Sequence, residues 1–216
     1  MYVLIDKKKS RGIIIAAALI IIAVAVTACI LLFHEGVSEN TVFPENVYGV
    51  SVHTRLLPVW TPKRPGIPRK IKYIVIHETG NRNNGADASA HSDYLRSVNG
   101  ETASWHYTVD DKEIYHHIPD NEVAWHAGDG LSRNGGNRNG IGIELCVNSD
   151  GDFEKTFINA AKLTAYLLKQ YGLTVKAIKQ HADFIDKNCP ETIRNTGRTE
   201  EFISLVSVYL NESPPE

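Results

Sequence analysis

An unbroken apolar run from Ile13 to Phe33 carries no charged side chain, and it restricts this chain more than any other feature. At about 1.5 Å per helical residue the run spans roughly 30 Å, the thickness of a bilayer's hydrocarbon core. It is apolar all round rather than along one stripe, so it reads as a membrane-spanning helix and not as a helix of a soluble core. Lys7, Lys8, Lys9 and Arg11 precede it, whereas Glu35 and Glu39 follow and the next Lys or Arg is Arg55. That asymmetry places residues 1–12 on the cytoplasmic side and the bulk of the chain outside.

Two other readings of the segment compete with an uncleaved anchor. A cleaved secretory signal has a shorter apolar core ending in a small-x-small site, and the length here argues against it. Val26-Thr27-Ala28-Cys29 is similar to a lipobox, but Ile30 to Phe33 remain apolar after that cysteine. The expectation is a single-pass anchor at 13–33, with everything beyond it on the wall side of a cell membrane.

The 216 residues leave room for one domain of ordinary size. A formal net charge of -2 gives no field that would attract nucleic acid, so no such partner is expected, and a monomer is. Cys29, Cys146 and Cys189 make neither a C-x-x-C pair nor a dense disulfide scaffold. From 34 to 69 the chain is polar and bears Pro44, Pro58, Pro62, Pro65 and Pro68, which predicts an extracytoplasmic tether. Its basic residues Lys63, Arg64 and Arg69, with Lys70 and Lys72 just beyond, read as a solvated face, although anionic headgroups or wall polymers are conceivable contacts.

The remainder alternates strand and helix signals. Ile71 to His77 is short, apolar and β-branched, as a buried strand is. Residues 86–98 suit a helix ending at Asn99-Gly100, and 104–118 read as two strands joined at Asp110-Asp111. Gly140 to Val147 predicts another buried strand. Phe157, Ala161, Thr164, Leu168 and Tyr171 recur at helical spacing before Gly172, predicting an amphipathic helix over about 155–171. A short strand at Val175 to Ile178 and a last helix carrying Phe202, Leu205, Val206 and Tyr209 complete a single α/β domain with a central sheet over 70–211, before a tail at 212–216.

Nine histidines raise the question of metal binding, and position decides which of them matter. His77 ends a buried strand, where open sheets place their chemistry. His181 and Cys189 share a loop-like stretch. Two imidazoles and a thiolate form a three-ligand zinc set with a fourth position open, as catalytic sites have. Spacing alone does not bring them together across about a hundred residues.

Motifs through the chain add to this. Ile74-Val75-Ile76-His77-Glu78-Thr79-Gly80-Asn81, Ser104-Trp105-His106-Tyr107, Ala124-Trp125-His126-Ala127-Gly128, Asn137-Arg138-Asn139-Gly140-Ile141-Gly142-Ile143-Glu144 and Lys187-Asn188-Cys189-Pro190 occur in order. Over residues 70 to 210 the chain resembles the type 2 N-acetylmuramoyl-L-alanine amidases, a family that includes phage and bacillus cell-wall amidases and shares its fold with peptidoglycan recognition proteins. The resemblance implies a central mixed β-sheet flanked by helices. It also implies Zn2+ on His77, His181 and Cys189, and hydrolysis of the amide between N-acetylmuramic acid and L-alanine in peptidoglycan.

By the same resemblance Glu144 takes the proton of the attacking water, and Lys187 stabilises charge on the carbonyl oxygen. Trp105, His126 and Asn81 are implied substrate contacts. Several relatives have tyrosine where Trp105 stands, and an indole accepts no proton, so Trp105 is expected as a stacking wall. Alternative readings are a wall-binding receptor without catalysis, a peptidase within the stem peptide, and a cysteine hydrolase using Cys189 and His181. Pro190 and the distant His77 favour zinc over the last. Gly140-Ile-Gly-Ile-Glu lies inside a strand, which excludes a dinucleotide-binding turn.

Overall fold

The structure, a computed structural model, describes residues 20–22, 24, 43–97 and 100–212. The expected span at 13–33 lies outside them apart from Ile20, Ile21, Ile22 and Val24, which are helical. Among the described residues no helix is long and apolar enough to cross a membrane. Val42–Glu216 forms one unit, separate from Met1–Thr41.

Seven strands of the larger unit form one mixed sheet, in the order β1-β2-β5-β4-β6-β3-β7. In chain order these are β1 (Asn46–Val47), β2 (Val50–Thr54), β3 (Tyr73–Glu78), β4 (Tyr107–Val109), β5 (Glu113–His116), β6 (Gly140–Leu145) and β7 (Ile178–Gln180). The helices are α1 (Ala88–Arg96), α2 (Gly136–Asn139), α3 (Phe153–Gln170), α4 (Glu191–Asn195) and α5 (Thr199–Asn211). β4 and β5 form the expected antiparallel pair, while β6, β3 and β7 run parallel.

Local signals explain the helix ends. Asp87 and Asp152 cap α1 and α3 by accepting from the backbone N–H of Ala90 and Lys155. Gly172 ends α3 with φ at +60°, a conformation that L side chains adopt at a cost. Phe157, Ala161, Leu163, Leu167 and Leu168 of α3 pack with Phe202 and Val206 of α5 against Ile74, Ile76, Ile141, Ile143 and Leu145. Full burial of each large aliphatic side chain contributes about 1.5–3 kcal/mol. The other face of β3 and β6 is left for chemistry.

From residue 43 onward, the tether expected over 34–69 is corrected by the structure. Phe43, Val47, Val50, Val52 and Leu57 are buried, and β2 pairs in parallel with β5, so this stretch completes the sheet. The prolines did exclude helix, but a strand survives between Pro44 and Pro58. The basic cluster also differs in part from a solvated face. Buried Lys63 donates to the carbonyls of Tyr94, Leu95 and Ser97 at the end of α1. Arg64 grips Glu122 with two nitrogens at 2.8 and 2.7 Å. Arg69 Nε donates to the Glu122 carbonyl. Lys70 and Lys72 are exposed. The short strand expected at Val175 to Ile178 is a 3-10 turn over Val175–Ala177, and the strand itself follows as β7.

Candidate metal centre and active site

Sheet register builds the centre of the site. His77 of β3 is the direct partner of Glu144 on β6. Side chains alternate faces along a strand, and the neighbouring Ile76, Ile143 and Leu145 enter the core, so His77 and Glu144 share the opposite face at the carboxyl ends of two parallel strands. His181 arrives one strand further over, opening the 3-10 turn His181–Asp183 directly after β7. Cys189 closes the loop that follows.

That loop is held from both sides. Arg194 donates to Asn188 Oδ1 and to Gln180 Oε1, at 2.9 and 2.8 Å, linking the residue before Cys189 to the residue before His181. Glu78, beside His77, accepts the backbone N–H groups of Thr192 and Ile193 at 2.9 and 3.0 Å. Its carboxylate thus fastens the first turn of α4, and with it Cys189, to the end of β3.

His77 Nδ1 lies 3.0 Å from His181 Nδ1 and 3.9 Å from Cys189 Sγ, and donor atoms of all three fall within 4.8 Å of one another. Tetrahedral ligation of zinc by nitrogen and sulfur sets donor atoms roughly 3.3–3.7 Å apart. The two His77 Nδ1 contacts lie within a few tenths of an ångström of that spacing, and the donor set is of the types that hold such an ion. All three residues are buried. Burial, reinforced by His126, His181 and Lys187, holds the His77 imidazole neutral with a pKa well below the ordinary histidine range. Burial and then Lys187 lower His181 to about 4. Burial, followed by the Glu144 carboxylate, pushes the Cys189 thiol up to about 12, so it binds a cation only by releasing its proton.

Glu144 Oε1 is 4.0 Å from His77 Nδ1, and Oε2 is buried with no hydrogen-bond partner among the described residues. Burial raises this carboxyl to about 7, with Lys187 opposing and Glu78 adding to the shift. A carboxylate poised near neutrality, with a free oxygen beside a ligand cluster, suits proton transfer. Lys187 is exposed, and its field reaches His77, His181 and Glu144.

Asn81 and Trp105 line one cleft of about 310 Å³, together with Thr79, His91 and Tyr94. Trp105 is 9% exposed and also packs against Leu57 and Leu95, while its indole N–H donates to Thr108 Oγ1 at 2.7 Å. Trp105 thus lines the cleft and packs into the core at once. His126, expected as a substrate contact, is buried, with Nδ1 3.0 Å from His77 Nε2. Sequence reasoning missed Glu78 and Asn137. Asn137 Oδ1 accepts the backbone N–H of both His126 and Ala127, at 2.7 and 2.6 Å. Both residues stood inside quoted motifs without a role, and only their partners reveal one. His106 accepts the Gly142 N–H at Nδ1. Cys146 is buried.

A family model described as N-acetylmuramoyl-L-alanine amidase (Amidase_2) matches residues 67–192. The chain belongs to this family. Among its relatives, the N-acetylmuramoyl-L-alanine amidase XlyA of Bacillus subtilis (strain 168) is 43% identical over 147 residues, covering 68% of this chain and 48% of XlyA. The amidase CwlH of the same organism is 41% identical over 167 residues, covering 77% of this chain and 64% of CwlH. The solved structure of the catalytic domain of XlyA superposes with a TM-score of 0.68 at 41% identity, covering 73% of this chain and 99% of that domain. The structure of PlyL gives 0.65 at 29% identity. The chain thus spans about half to two thirds of the length of these curated relatives. Its mixed sheet with flanking helices is the architecture of the family's solved members.

Proposed function

We propose that this family member is a zinc-dependent N-acetylmuramoyl-L-alanine amidase that cleaves the amide between N-acetylmuramic acid and L-alanine in peptidoglycan. The observation that carries the reading is the convergence of His77, His181 and Cys189 beside Glu144 and its unpartnered oxygen, in a chain of this family. His77, His181 and Cys189 would hold the ion. When bound there, zinc polarises the scissile carbonyl and acidifies water.

Glu144 takes the proton of the attacking water on its free carboxylate oxygen and returns it to the departing alanine amine. Lys187 offsets negative charge that develops on the carbonyl oxygen. Asn81 and the Trp105 edge, in the cleft beside the site, orient the wall polymer. The apolar segment at 13–33 anchors the enzyme in the cell membrane as a single pass, with the domain acting as a monomer on nearby wall strands. What supports this placement is hydropathy and flanking charge.

The test is digestion of purified peptidoglycan by the zinc-loaded chain, read by amine labelling and mass spectrometry of the fragments. New N-terminal alanine is expected, and Glu144→Gln should abolish it while zinc stays bound. Binding without any cleavage points to a receptor, and fragments cut within the stem peptide point to a peptidase. Either result defeats the proposal.

A further inference from the structure

An imidazole ligates a metal only through an unprotonated nitrogen, so a histidine ligand must carry its proton on the other one. At His77 the nitrogen facing the donor cluster is Nδ1, 3.0 Å from His181 Nδ1 and 3.9 Å from Cys189 Sγ. Nε2 faces away, towards His126. What decides its protonation lies two hydrogen bonds off, at the carbonyl of Gly140.

That carbonyl oxygen is 3.1 Å from His126 Nε2 and can only accept. His126 must therefore carry its proton on Nε2, which leaves Nδ1 with a lone pair. His126 Nδ1 is 3.0 Å from His77 Nε2, and this contact is a hydrogen bond only if His77 supplies the proton. His77 Nδ1 is then unprotonated and points at the cluster. The opposite arrangement would set two lone pairs against each other at Gly140 and place a proton where the ion must sit. Both rings are buried, which disfavours a charged imidazolium, so two protons settle the whole chain of bonds.

The surrounding chain is built to hold the His126 ring in this pose. Asn137 Oδ1 fixes the backbone at His126 and Ala127. Asp129 in turn accepts the Gly136 and Asn137 N–H groups, at 2.5 and 3.3 Å. Gly142 supplies the space: a Cβ there would stand 2.6 Å from His126 Cγ. We propose that His126 is a positioning residue, which fixes the His77 proton on Nε2 and presents an unprotonated Nδ1 to the metal, rather than a residue that touches substrate. This inference rests on the metal reading above and not on the reaction catalysed.

Two measurements on the full-length chain test it. In metal-free protein labelled with 15N-histidine, long-range proton–nitrogen NMR should place the protons of both His77 and His126 on Nε2. In zinc titrations against a competing chelator, His126→Leu should weaken binding about 10- to 100-fold, as loss of an outer hydrogen-bond partner does. His126→Asn places a carbonyl oxygen near the position of Nδ1 and should restore affinity to within about threefold of the native chain. A role in packing alone would not separate leucine from asparagine in this way.

A His77 proton found on Nδ1 overturns the proposal, as does a leucine variant that binds zinc like the native chain. So does an asparagine variant no better than leucine. The NMR measurement needs no variant and remains decisive if a substituted chain fails to fold. None of these readouts uses peptidoglycan, so their failure is distinct from failure of the amidase reading.

Discussion

Glu78 offers the sharpest test of how the ligand-bearing segments are held together. It is 8% exposed, and its carboxylate accepts the Thr192 and Ile193 N–H groups at 2.9 and 3.0 Å. Hydrogen bonds to a charged group contribute about 1.5–3 kcal/mol each, and loss of a helix cap costs about 0.5–2 kcal/mol, the two overlapping here. Glu78 also stands close enough to Glu144 to raise its pKa, so removal relieves some repulsion. The net expectation for Glu78→Ala is a loss of roughly 2–4 kcal/mol, or roughly 5–15 °C in Tm for a domain of this size. Glu78→Gln keeps one acceptor oxygen and should lose about half as much.

Urea unfolding followed by tryptophan fluorescence, with and without saturating zinc, measures both variants. The deficit should be larger with zinc, because α4 begins two residues after Cys189 and a loosened α4 misplaces that ligand. If Glu78→Ala unfolds within about 0.5 kcal/mol of the native chain in both conditions, the two contacts do not clamp α4 to β3 and the reasoning fails.

Three further outcomes follow from the packing. Deleting residues 1–41 should leave a folded domain, whereas deleting 1–69 removes β1, β2 and buried Phe43 and Leu57 and should give an unfolded or aggregating product in circular dichroism and size-exclusion runs. Gly142→Ala should cost about 1–3 kcal/mol in unfolding experiments and weaken zinc binding with it, since the new methyl displaces His126; unchanged zinc affinity would uncouple the two. Asp120 is buried, which opposes its ionisation, but His116 and the hydroxyls of Tyr107 and Tyr171 outweigh burial and hold its pKa below the ordinary 3.8. Its stabilisation is therefore complete above that ordinary value and is lost as pH falls through the lower folded value, so the stability gap to Asp120→Asn should narrow below about pH 4; a gap that stays constant down to pH 3 contradicts it.

Much of the fold was legible locally. Short apolar runs marked β3 and β6, helical spacing and Gly172 marked α3, and residue type with motif order singled out His77, Glu144, His181 and Cys189. The stretch before residue 70 was misread for a physical reason. Proline and polarity exclude helix, but a strand is short and needs only alternate burial, so β2, paired between β1 and β5, hides in a sequence that also suits a tether. The ring partners of His126 were not legible, because residue type says nothing of what lies on either side of a ring.

The sequence by itself determined the apolar segment at 13–33, the residue types available for metal chemistry and the family to which the chain belongs, because hydropathy, side-chain chemistry and ordered motifs are properties of the covalent chain. Tertiary structure alone decided that His77 pairs with Glu144, that Glu78 holds the Cys189 loop and that the His126 ring meets His77 Nε2. These are relations between residues 49 to 115 positions apart, or set by strand register, as for His77 and Glu144. Local periodicity carries no information about which distant strand becomes a neighbour; cooperative packing of the sheet does.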